Sequence, residues 1–406
     1  MGSIIEMLGR EKFIIYGAGT IARAVIKTLR AQYEDIDKRL VGCAVTDLNF
    51  NVQMIEGLQV YSIKEVKSFY TDELILICVR EKDVEDVKSI LNSYGIKKYY
   101  TFDLKNCIEI LEKNFEKKDE KRYILFQNNI DRDSLSNEEY VMFLSKQLKD
   151  RTIDFEVNLA DHCNLNCQCC NHFSPVAEEK YLDIETFTKD MRRLSEILEG
   201  RVGTIMLLGG EPLLYKDINK AMKISRQFFP NASIVIVSNG LLLPKMGQDF
   251  WRICRENRIG IHLTKYPIKF DYDECERIAE KNGVKLDYTL DSVNKTTYRL
   301  PIREEGQLNA CKNYVKCYHA AKCVVLREGR LYTCPISAYV HHLNKYFNKH
   351  LPEGECNSVD IYSINSFEEL DIFLKSPIPM CSYCDIYNYE YGIPWNTSRR
   401  ELAEWM

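Results

Sequence analysis

Short apolar runs alternate with amphipathic stretches along most of this chain, and no other feature limits its possible folds as strongly. The first series of such runs predicts strands at 13–16, 40–45, 58–61, 74–79 and 98–102, and helices at 21–29 and 84–93. Apolar strands separated by helical stretches are typical of a parallel sheet whose two faces are covered by helices. We therefore expect an α/β unit in the first part of the chain.

A second series of the same kind begins near residue 154. It predicts strands at 154–159, 204–208, 233–237, 259–264 and 284–288, and helices at 184–198, 218–229, 247–257 and 273–282. Asp183 and Asp217 stand where helix N-caps are needed, directly before two of these helices. This repetition of strand and helix is long enough for a full or partial barrel.

Two changes in pattern indicate where domains meet. Residues 112–122 are dense in Lys, Glu and Asp with little periodicity, which indicates a linker or a solvated helix, and residues 140–148 regain helical spacing. After about residue 301 the pattern gives way to short irregular pieces rich in Cys, Tyr and Pro. We predict domains at 1–118, 151–300 and 301–406, with a linker helix region at 119–150.

Composition argues against several classes of protein. The chain has 406 residues, of which 45% are hydrophobic and 28% charged, and its net charge is −4 at pH 7. This balance is ordinary for a globular protein and gives no electrostatic reason to expect nucleic acid or acidic lipid as a partner. No apolar run approaches the ~18 residues of a membrane span, and the first residues lack the pattern of a secretory signal. We therefore expect a cytoplasmic protein with no nucleic acid and no membrane among its partners.

Ten of the 16 cysteines fall into clusters, which in a cytoplasmic chain are better explained as metal ligands than as disulfides. Cys163, Cys167 and Cys170 have the spacing C-x3-C-x2-C and directly follow the first strand of the second series. Three thiolates on so short a loop suit three irons of a cubane cluster and leave the fourth iron for a non-protein ligand. A zinc site remains an alternative, because His162 and His172 lie on the same loop.

The spacing of these cysteines resembles that of the radical S-adenosylmethionine (radical SAM) family. A second match, Gly209-Gly210-Glu211-Pro212, follows the next predicted strand, where that family carries its GGE motif. The resemblance implies a [4Fe–4S] cluster on the three cysteines, with SAM bound to the open iron and its amino group received by the GGE backbone and Glu211. It also implies that residues 151–300 form a partial (β/α)6 barrel, and that a flavodoxin or ferredoxin supplies the electron.

The same resemblance assigns further SAM contacts. Ser238 and Asn239 follow the third strand, where the family often contacts the SAM ribose. Thr264 and Lys265 follow the fourth strand, where polar groups meet the SAM carboxylate or the substrate. The alternatives are an ordinary Asn-Gly turn for the first pair and a solvated side chain for Lys265.

One position departs from the family pattern. Radical SAM proteins commonly carry an aromatic residue directly before the third cysteine, where this chain has Cys169. Phe173 is therefore a candidate to shield the cluster in its place. The extra thiol of Cys169 is a candidate alternative ligand or hydrogen-atom donor.

A second candidate site is formed by Cys317, Cys334, Cys381 and Cys384. Their spacing, C-x11-G-x4-C around Gly329 with a later C-x2-C, resembles the Twitch or SPASM-type auxiliary domains of some radical SAM proteins. A hairpin of strands 324–327 and 330–333 is expected there. The resemblance implies a second [4Fe–4S] cluster, as in the shorter Twitch form. Cys323 is an alternative to Cys317, and structural zinc is an alternative to the cluster.

The first predicted strand is followed by the pattern G-x-G-x-x-A, formed by Gly17, Gly19 and Ala22. Such a turn brings a phosphate to a helix N-terminus, and Asp47 is a candidate for the acidic residue of this fingerprint. The segment looks like the small Rossmann domains attached to enzymes of sugar and nucleotide-sugar metabolism. A scaffold that binds no nucleotide and serves for docking is the alternative.

Together these interpretations predict a radical SAM enzyme that uses a 5′-deoxyadenosyl radical to abstract hydrogen from a sugar, sugar-nucleotide or polyol. Oxidation would pass an electron to the auxiliary cluster, whereas epimerisation needs a thiol that returns hydrogen, from Cys169, Cys311 or Cys323. Of these, Cys169 and Cys323 are the predicted catalytic residues. Residues 171–178 also resemble uncharacterised radical SAM proteins that accompany polysaccharide-assembly genes. Modification of a ribosomal peptide and a non-catalytic zinc-bearing interaction protein are the alternatives.

Overall fold

The chain forms two compact units, Met1–Arg151 and Thr152–Met406. The computed structural model describes residues 8, 11–33, 35–48, 54–79, 83–102, 108, 135–147, 152–289, 293 and 295–406. Most of the predicted linker, residues 119–134 and 148–150, lies outside the described residues. Over the described ranges, the structure has no helix with both the length and the apolar character needed to cross a bilayer.

The first unit is built around a six-stranded sheet. Its strands are β1 (Phe13–Tyr16), β2 (Leu40–Val45), β3 (Met54–Ile55), β4 (Leu58–Ser62), β5 (Leu74–Ile77) and β6 (Tyr99–Thr101). They lie in the order β3-β4-β2-β1-β5-β6, and all pairs are parallel except β3 with β4. β1 and β5 are buried along their whole length, as expected for central strands of a sheet covered on both faces. The predicted parallel sheet is confirmed.

Four described helices accompany this sheet: α1 (Thr20–Gln32), α2 (Ile63–Phe69), α3 (Val84–Ser93) and α4 (Asn137–Lys146). α2 begins with a capping box, in which the Ser62 hydroxyl accepts from the Glu65 amide and the Glu65 carboxylate accepts from the Ser62 amide. α4 accounts for the helical spacing predicted at 140–148 and starts three residues earlier.

The second unit is built around an eight-stranded sheet. Its strands are β7 (Ile153–Ala160), β8 (Val202–Gly209), β9 (Ser233–Ser238), β10 (Ile259–Leu263), β11 (Leu286–Tyr288), β13 (Val324–Arg327), β14 (Arg330–Tyr332) and β15 (Ser358–Asp360). They lie in the order β11-β10-β9-β8-β7-β13-β14-β15. The strands from β7 to β11 are parallel, so their carboxyl ends meet at one edge of the sheet.

Helices α5 (Ile184–Leu198), α6 (Ile218–Phe228), α7 (Gln248–Glu256) and α8 (Tyr272–Lys281) connect these parallel strands. α5 shows why the sequence forms them. Asp183 caps its first turn by accepting from the Thr186 amide at 2.8 Å. Phe187, Met191 and Leu194 recur at helical spacing and are buried in the same core as alternate residues of β7.

The sheet departs from the expected (β/α)6 order on the side of β7 that faces away from β8. From β7 to β11, five parallel strands alternate with four helices. The next strand to join the sheet is β13, and it pairs in parallel with β7 rather than with β11. β14 and β15 then continue antiparallel beyond β13. The predicted hairpin is therefore confirmed as β13 and β14, and it is continuous with the main sheet. The division into domains at 151–300 and 301–406 stays a prediction.

Beyond this sheet, β12 (Thr296–Arg299) pairs antiparallel with β16 (Glu390–Pro394). Three further helices complete the unit: α9 (Ala310–Lys316), α10 (Pro335–Phe347) and α11 (Phe367–Leu374). One core cluster joins the side chains beneath α5 to α8 with those of α9 to α11.

Candidate active site at the end of the parallel sheet

The three predicted cluster cysteines lie on the loop that follows β7, residues 161–173, which we call the cysteine loop. Cys163, Cys167 and Cys170 are partly buried there. The loop turns sharply because Asn166, Cys169 and Phe173 all have positive φ, at 54°, 60° and 53°. A left-handed backbone is unfavourable for residues other than glycine, so contacts from outside the loop must hold this shape.

The spacing of the thiols bears on which metal they fit. A tetrahedral zinc with Zn–S bonds of about 2.3 Å holds its sulfurs roughly 3.8 Å apart. In the described part of the chain, one set of three or more His, Cys, Asp or Glu residues has ligand atoms within 4.8 Å of one another, and it contains no cysteine. Both cysteine groups therefore lie outside that set, and the choice between zinc and a cluster depends on the donors around them. The cysteine loop offers three partly buried thiols, which is the donor set of a cubane cluster whose fourth iron binds a non-protein ligand.

The protonation of the three thiols is set by burial and by His172. Burial raises the pKa of Cys163 to about 12 and that of Cys167 to about 11. Burial also opposes ionisation of Cys170, but a hydrogen bond and positive charge from His172 bring its pKa below the ordinary value. Buried thiols of this kind become thiolates when a metal binds them, since coordination removes the proton.

The GGE segment packs directly against the start of the cysteine loop. Gly209 has a φ of 153°, and a side chain there would meet the Ala160 carbonyl oxygen at 2.3 Å. A side chain on Gly210 would meet the His162 carbonyl oxygen at 2.1 Å. The Gly210 amide donates to the Ala160 oxygen at 2.7 Å. Two glycines are therefore required for this close approach of two backbones.

The carboxylate of Glu211 joins the ends of β8 and β9. It is fully buried and accepts from the Leu213 amide at 3.0 Å, from the Ser238 hydroxyl at 2.7 Å and from the Asn239 amide at 3.0 Å. Burial raises its pKa to about 7. The structure thus brings Glu211 together with both residues predicted after the third strand.

Asn239 connects this corner to the cysteine loop. Its side-chain amide donates to Asn164 Oδ1 at 2.8 Å and lies 3.8 Å from Cys163 Sγ. The ends of β7, β8 and β9 therefore converge, as the sequence predicts for a SAM site. The two predicted residues after β10 have other partners.

Thr264 and Lys265 face β11 and α8. The Thr264 hydroxyl lies 2.9 Å from that of Thr289. The Lys265 ammonium sits 3.7 Å from the centre of the Tyr288 ring and 3.7 Å from the Glu276 carboxylate. Lys265 is thus held by a ring and a carboxylate rather than solvated.

Tyr266, which the sequence analysis did not select, reaches the cysteine loop from the end of β10. It is in contact with Cys167, and its ring centre lies 5.5 Å from that of Trp395. The available signal was an aromatic residue two positions after the fourth predicted strand.

Three further polar side chains, which the sequence analysis did not group together, lie close together: Glu156, Asn158 and His172. We call this group the polar floor. Glu156 and Asn158 are buried on the face of β7 opposite to its core residues. Among the described residues, neither side-chain amide atom of Asn158 has a hydrogen-bond partner, and Glu156 Oε2 lies 3.6 Å from His172 Nε2. The signal was present as Asp, Glu and Asn at alternate positions of a predicted strand.

The two predicted catalytic thiols lie in different surroundings. Cys169 is buried, its pKa is raised to about 11 by burial, and its charged neighbours include Glu404 and Arg299. Cys323 lies beside Glu156, and burial raises its pKa well above the ordinary value. Cys323 therefore adjoins the polar floor, whereas Cys169 has Glu404 and the paired strands β12 and β16 as neighbours.

All four predicted auxiliary ligands line one cavity in the second unit: Cys317, Cys334, Cys381 and Cys384. Cys323 is absent from its described lining, which favours Cys317 as the ligand. The Asn313 side chain donates to the carbonyl oxygens of Cys381 and Cys384, both at 2.7 Å, and so fixes the C-x2-C turn.

A further group of titratable side chains lies between the cysteine loop and the hairpin. Asp161 accepts two hydrogen bonds from Arg327, at 2.8 and 3.0 Å, and lies 3.3 Å from His342 Nε2. His341, Asp161 and His342 are the set with ligand atoms within 4.8 Å of one another. The Arg327 guanidinium bonds both carboxylate oxygens, and its positive charge repels a cation. This group therefore ties β13 and α10 to the loop.

In the first unit, the glycine fingerprint occupies the turn between β1 and α1. Gly17 has a φ of 134°, and a side chain there would meet the Cys78 carbonyl oxygen at 2.6 Å. Gly19 precedes α1 in extended conformation with open space around it, and Ala22 is fully buried in α1. Asp47 follows β2. These positions agree with the predicted phosphate turn, and nucleotide binding there remains a prediction.

Residues 157–316 match the family model described as the Radical SAM superfamily. The chain therefore contains a radical SAM domain, and the convergent strand ends described above lie within it. Domains of this class use a [4Fe–4S] cluster with SAM, in agreement with the first part of the cofactor prediction.

Curated relatives match part of the chain. It is 33% identical over 102 residues to GTP 3′,8-cyclase of Sulfurovum sp. (strain NBC37-1), covering 24% of this chain and 30% of the relative. It is 31% identical over 136 residues to GTP 3′,8-cyclase of Aliarcobacter butzleri (strain RM4018), covering 32% and 40%. The chain spans about a third of the length of the curated relatives it matches.

Among solved structures, BtrN in complex with AdoMet and 2-DOIA is 18% identical, with a TM-score of 0.39 over 59% of this chain and 94% of that chain. Streptococcus suis SuiB bound to the precursor peptide SuiA is 17% identical, with a TM-score of 0.28 over 56% and 46%.

Proposed function

We propose that this chain is a radical SAM enzyme that abstracts hydrogen from a sugar, a sugar-nucleotide or a related polyol, leading to oxidation or epimerisation. A bound [4Fe–4S] cluster and SAM together supply a 5′-deoxyadenosyl radical, which removes hydrogen from an unactivated C–H bond. The chain's own residues hold these groups and exclude water and oxygen.

Each part of the site has a task in this proposal. Cys163, Cys167 and Cys170 bind the cluster. The GGE backbone and Glu211 receive the SAM amino group, and Asn239, next to Cys163, orients the ribose side. Because Glu211 is buried with three hydrogen-bond donors around it, its carboxylate is held in one orientation.

The polar floor is the observation that carries the choice of substrate class. Buried polar atoms are nearly always hydrogen-bonded, so unpartnered ones beside a reaction site indicate a ligand that completes them. Asn158 offers such a ligand one acceptor and a donor group, since neither its amide oxygen nor its amide nitrogen has a partner among the described residues. Glu156 lies on the same face of β7, with its carboxylate 3.6 Å from His172 Nε2. A substrate with several hydroxyl groups satisfies this arrangement, and an apolar one leaves it unpaired.

The auxiliary cavity supports a second cluster and therefore oxidation. Four cysteine thiols line it, which is the ligand set of a [4Fe–4S] cluster, and structural zinc is the alternative for the same four thiols. Burial raises the pKa of Cys334 to about 11, so metal binding is needed to make it a thiolate. If the cavity instead holds no redox centre, epimerisation with Cys323 as hydrogen donor becomes the preferred reaction.

A nucleotide-bearing substrate is the second candidate, favoured by the relatives whose name specifies GTP. A ribose also presents hydroxyls to the polar floor, so the two candidates share one site. Peptide modification has less support. Enzymes that modify ribosomal peptides usually carry a winged-helix-like segment that binds the leader peptide, whereas the first unit of this chain is a parallel sheet with helices.

The first test is iron and sulfide content after anaerobic reconstitution. We expect roughly eight irons in the parent and about four in the triple variant Cys163→Ser, Cys167→Ser, Cys170→Ser. Cys356→Ser is the control, because Cys356 is exposed and lies outside both sites. Equal zinc in all three proteins and no SAM cleavage would identify the non-catalytic zinc-bearing protein instead.

The second test is deuterium transfer. Sugars, sugar-nucleotides and GTP, each deuterated at carbinol positions, are incubated with reduced enzyme and SAM, together with flavodoxin or ferredoxin as electron donor. Deuterium in 5′-deoxyadenosine identifies the substrate and the carbon attacked. Transfer from a peptide alone would overturn the proposed substrate class.

Nucleotide binding by the first unit is tested separately. Gly19 faces open space, so Gly19→Val leaves the fold intact but covers the turn where a phosphate would sit. Weakened binding of a nucleotide-sugar would support the fingerprint. Unchanged binding, or none in the parent, would favour the docking scaffold.

A further inference from the structure

Residues 395–406, which we call the strap, lie against the cysteine loop. The Ser398 amide donates to the Asn166 carbonyl oxygen at 2.8 Å, and the Gln168 amide donates to the Asn396 carbonyl oxygen at 2.9 Å. Between these bonds, Cys167 and Thr397 form an antiparallel bridge. The strap thus pairs with the loop at the second predicted ligand as one strand pairs with another.

Two of the chain's three tryptophans belong to the strap. The Trp405 indole N–H donates to the Cys170 carbonyl oxygen at 2.9 Å, and its ring centre lies 6.0 Å from that of Phe173. Trp395 lies beside Cys167 and 5.5 Å from the Tyr266 ring centre. Aromatic side chains therefore surround two of the three ligands, although the residue before the third cysteine is Cys169.

The contacts of the strap fall at the strained points of the loop. Asn166 has a positive φ, and its carbonyl oxygen accepts a hydrogen bond from the strap. Cys169 also has a positive φ, and its neighbours Gln168 and Cys170 are both hydrogen-bonded to the strap. Left-handed backbone at such residues persists only where surrounding contacts enforce it. The strap supplies three of those contacts.

The strap is itself fixed. The Ile302 amide donates to the Trp405 carbonyl oxygen at 2.8 Å, and the Arg399 amide donates to the Glu404 carboxylate at 2.7 Å. Arg299 donates to the Ala403 carbonyl oxygen. The strap also continues directly from β16, which pairs with β12.

We infer that the strap is a positioning element for the cysteine loop. Its backbone bonds and the Trp405 indole hold the ligand backbone in its cluster-binding shape, and Trp395 and Trp405 cover the cluster against oxidants. This inference rests on the proposed cluster at Cys163, Cys167 and Cys170. The strap compensates for the missing aromatic residue at position 169.

The test compares Trp405→Phe and Trp395→Phe with Trp251→Phe, a control tryptophan buried in α7 and absent from the loop contacts. Each protein is reconstituted anaerobically, and iron content is measured before exposure to air. Loss of the iron–sulfur absorbance is then followed in time. Trp405→Phe keeps an aromatic ring but loses one hydrogen bond, so we expect about fivefold faster loss from the first cluster. The rate for the auxiliary cluster and for Trp251→Phe stays at the parent value.

A second variant keeps both tryptophans. Ser398→Pro removes the amide that donates to Asn166, and we expect it to accelerate loss of the first cluster in the same way. The reduction potential of the first cluster is measured in each variant, since a merely structural role would leave it unchanged. Parent-like rates and potentials in Trp405→Phe and Ser398→Pro would overturn the inference. A parent that binds no iron at Cys163, Cys167 and Cys170 would overturn the proposed function instead.

Discussion

Replacing Arg327 tests whether the buried ion pair with Asp161 stabilises the second unit. The side chains of Asp161 and Arg327 are only 5% and 12% exposed, and two hydrogen bonds of 2.8 and 3.0 Å join them. Solvent therefore screens the pair weakly. Removing one partner of such a pair leaves the other charge buried and typically costs 3–5 kcal/mol. We expect Arg327→Met to lower the free energy of unfolding by about that amount.

The sign with pH follows from the pKa of Asp161. Burial opposes its ionisation, but hydrogen bonds from His342 and Arg327, together with the positive charge of Arg327, outweigh burial and hold the pKa well below the ordinary value. A depressed carboxyl pKa adds stability that is complete above the ordinary pKa of about 4 and is lost as pH falls through the folded value. The full effect of Arg327→Met is therefore present at neutral pH.

The assay is urea unfolding of the metal-free chain under anaerobic, reducing conditions, followed by tryptophan fluorescence. All three tryptophans, Trp251, Trp395 and Trp405, belong to the second unit, so fluorescence reports that unit. The double variant Asp161→Leu with Arg327→Met completes a thermodynamic cycle and should recover most of the loss, because no charge of the pair stays buried.

The control is Lys345→Ala in the ion pair with Glu178, whose side chains are 67% and 70% exposed. It should leave the unfolding midpoint unchanged, because exposed pairs contribute little. The single variant Asp161→Leu is measured as well. If the double variant loses as much stability as the two single variants together, Asp161 and Arg327 act independently. That result would refute a stabilising buried ion pair.

Three further predictions concern the SAM corner and the auxiliary cavity. Burial raises the pKa of Glu211 to about 7, so the folded chain keeps a proton that the unfolded chain releases, and stability falls as pH rises from about 4.5 to 7. Glu211→Gln has no carboxyl group to ionise, so its free energy of unfolding does not fall in this way. Measured by urea unfolding, the difference in free energy between the variant and the parent should rise by about 2–3 kcal/mol between about pH 5 and pH 8. A difference that does not change with pH would contradict the raised pKa. Gly210→Ala forces a contact of 2.1 Å with the His162 oxygen and should cost roughly 1–3 kcal/mol and abolish SAM cleavage, whereas Gly247→Ala, with open space around it, should keep activity. The triple variant Cys334→Ser, Cys381→Ser, Cys384→Ser should have half the iron content and no oxidation activity, while SAM cleavage persists. Full iron content in that variant would place the second cluster elsewhere.

Much of this site was predictable because its elements repeat a simple pattern. The helix at 184–198 and the strand at 233–237 follow from periodicity alone, and the structure agrees to within a residue. Since parallel strands present their carboxyl ends at one edge, the residues after each strand could be expected to meet. The approach of Glu211 to Ser238 and Asn239 follows that rule.

Contacts that depend on distant pairing were not predictable. The hairpin of β13 and β14 was expected from Glu328-Gly329, but nothing in its sequence specifies that Val324 pairs with Phe155. The strap carries no periodicity, so its pairing with Cys167 is visible only in three dimensions. The sequence around Glu156 and Asn158 predicts only a strand, because burial of polar side chains is a tertiary property.

The parallel pairing of β7 with β13 also has a consequence for the order of folding. About 170 residues of chain separate Phe155 from Val324, so loop closure makes this ladder one of the slowest to form. During synthesis, β8 covers one side of β7 long before β13 leaves the ribosome. The other side then presents unpaired amide and carbonyl groups, which are a template for association with other chains. We therefore expect chains whose synthesis stops between β11 and β13 to aggregate, even though the strands from β7 to β11 have all been made.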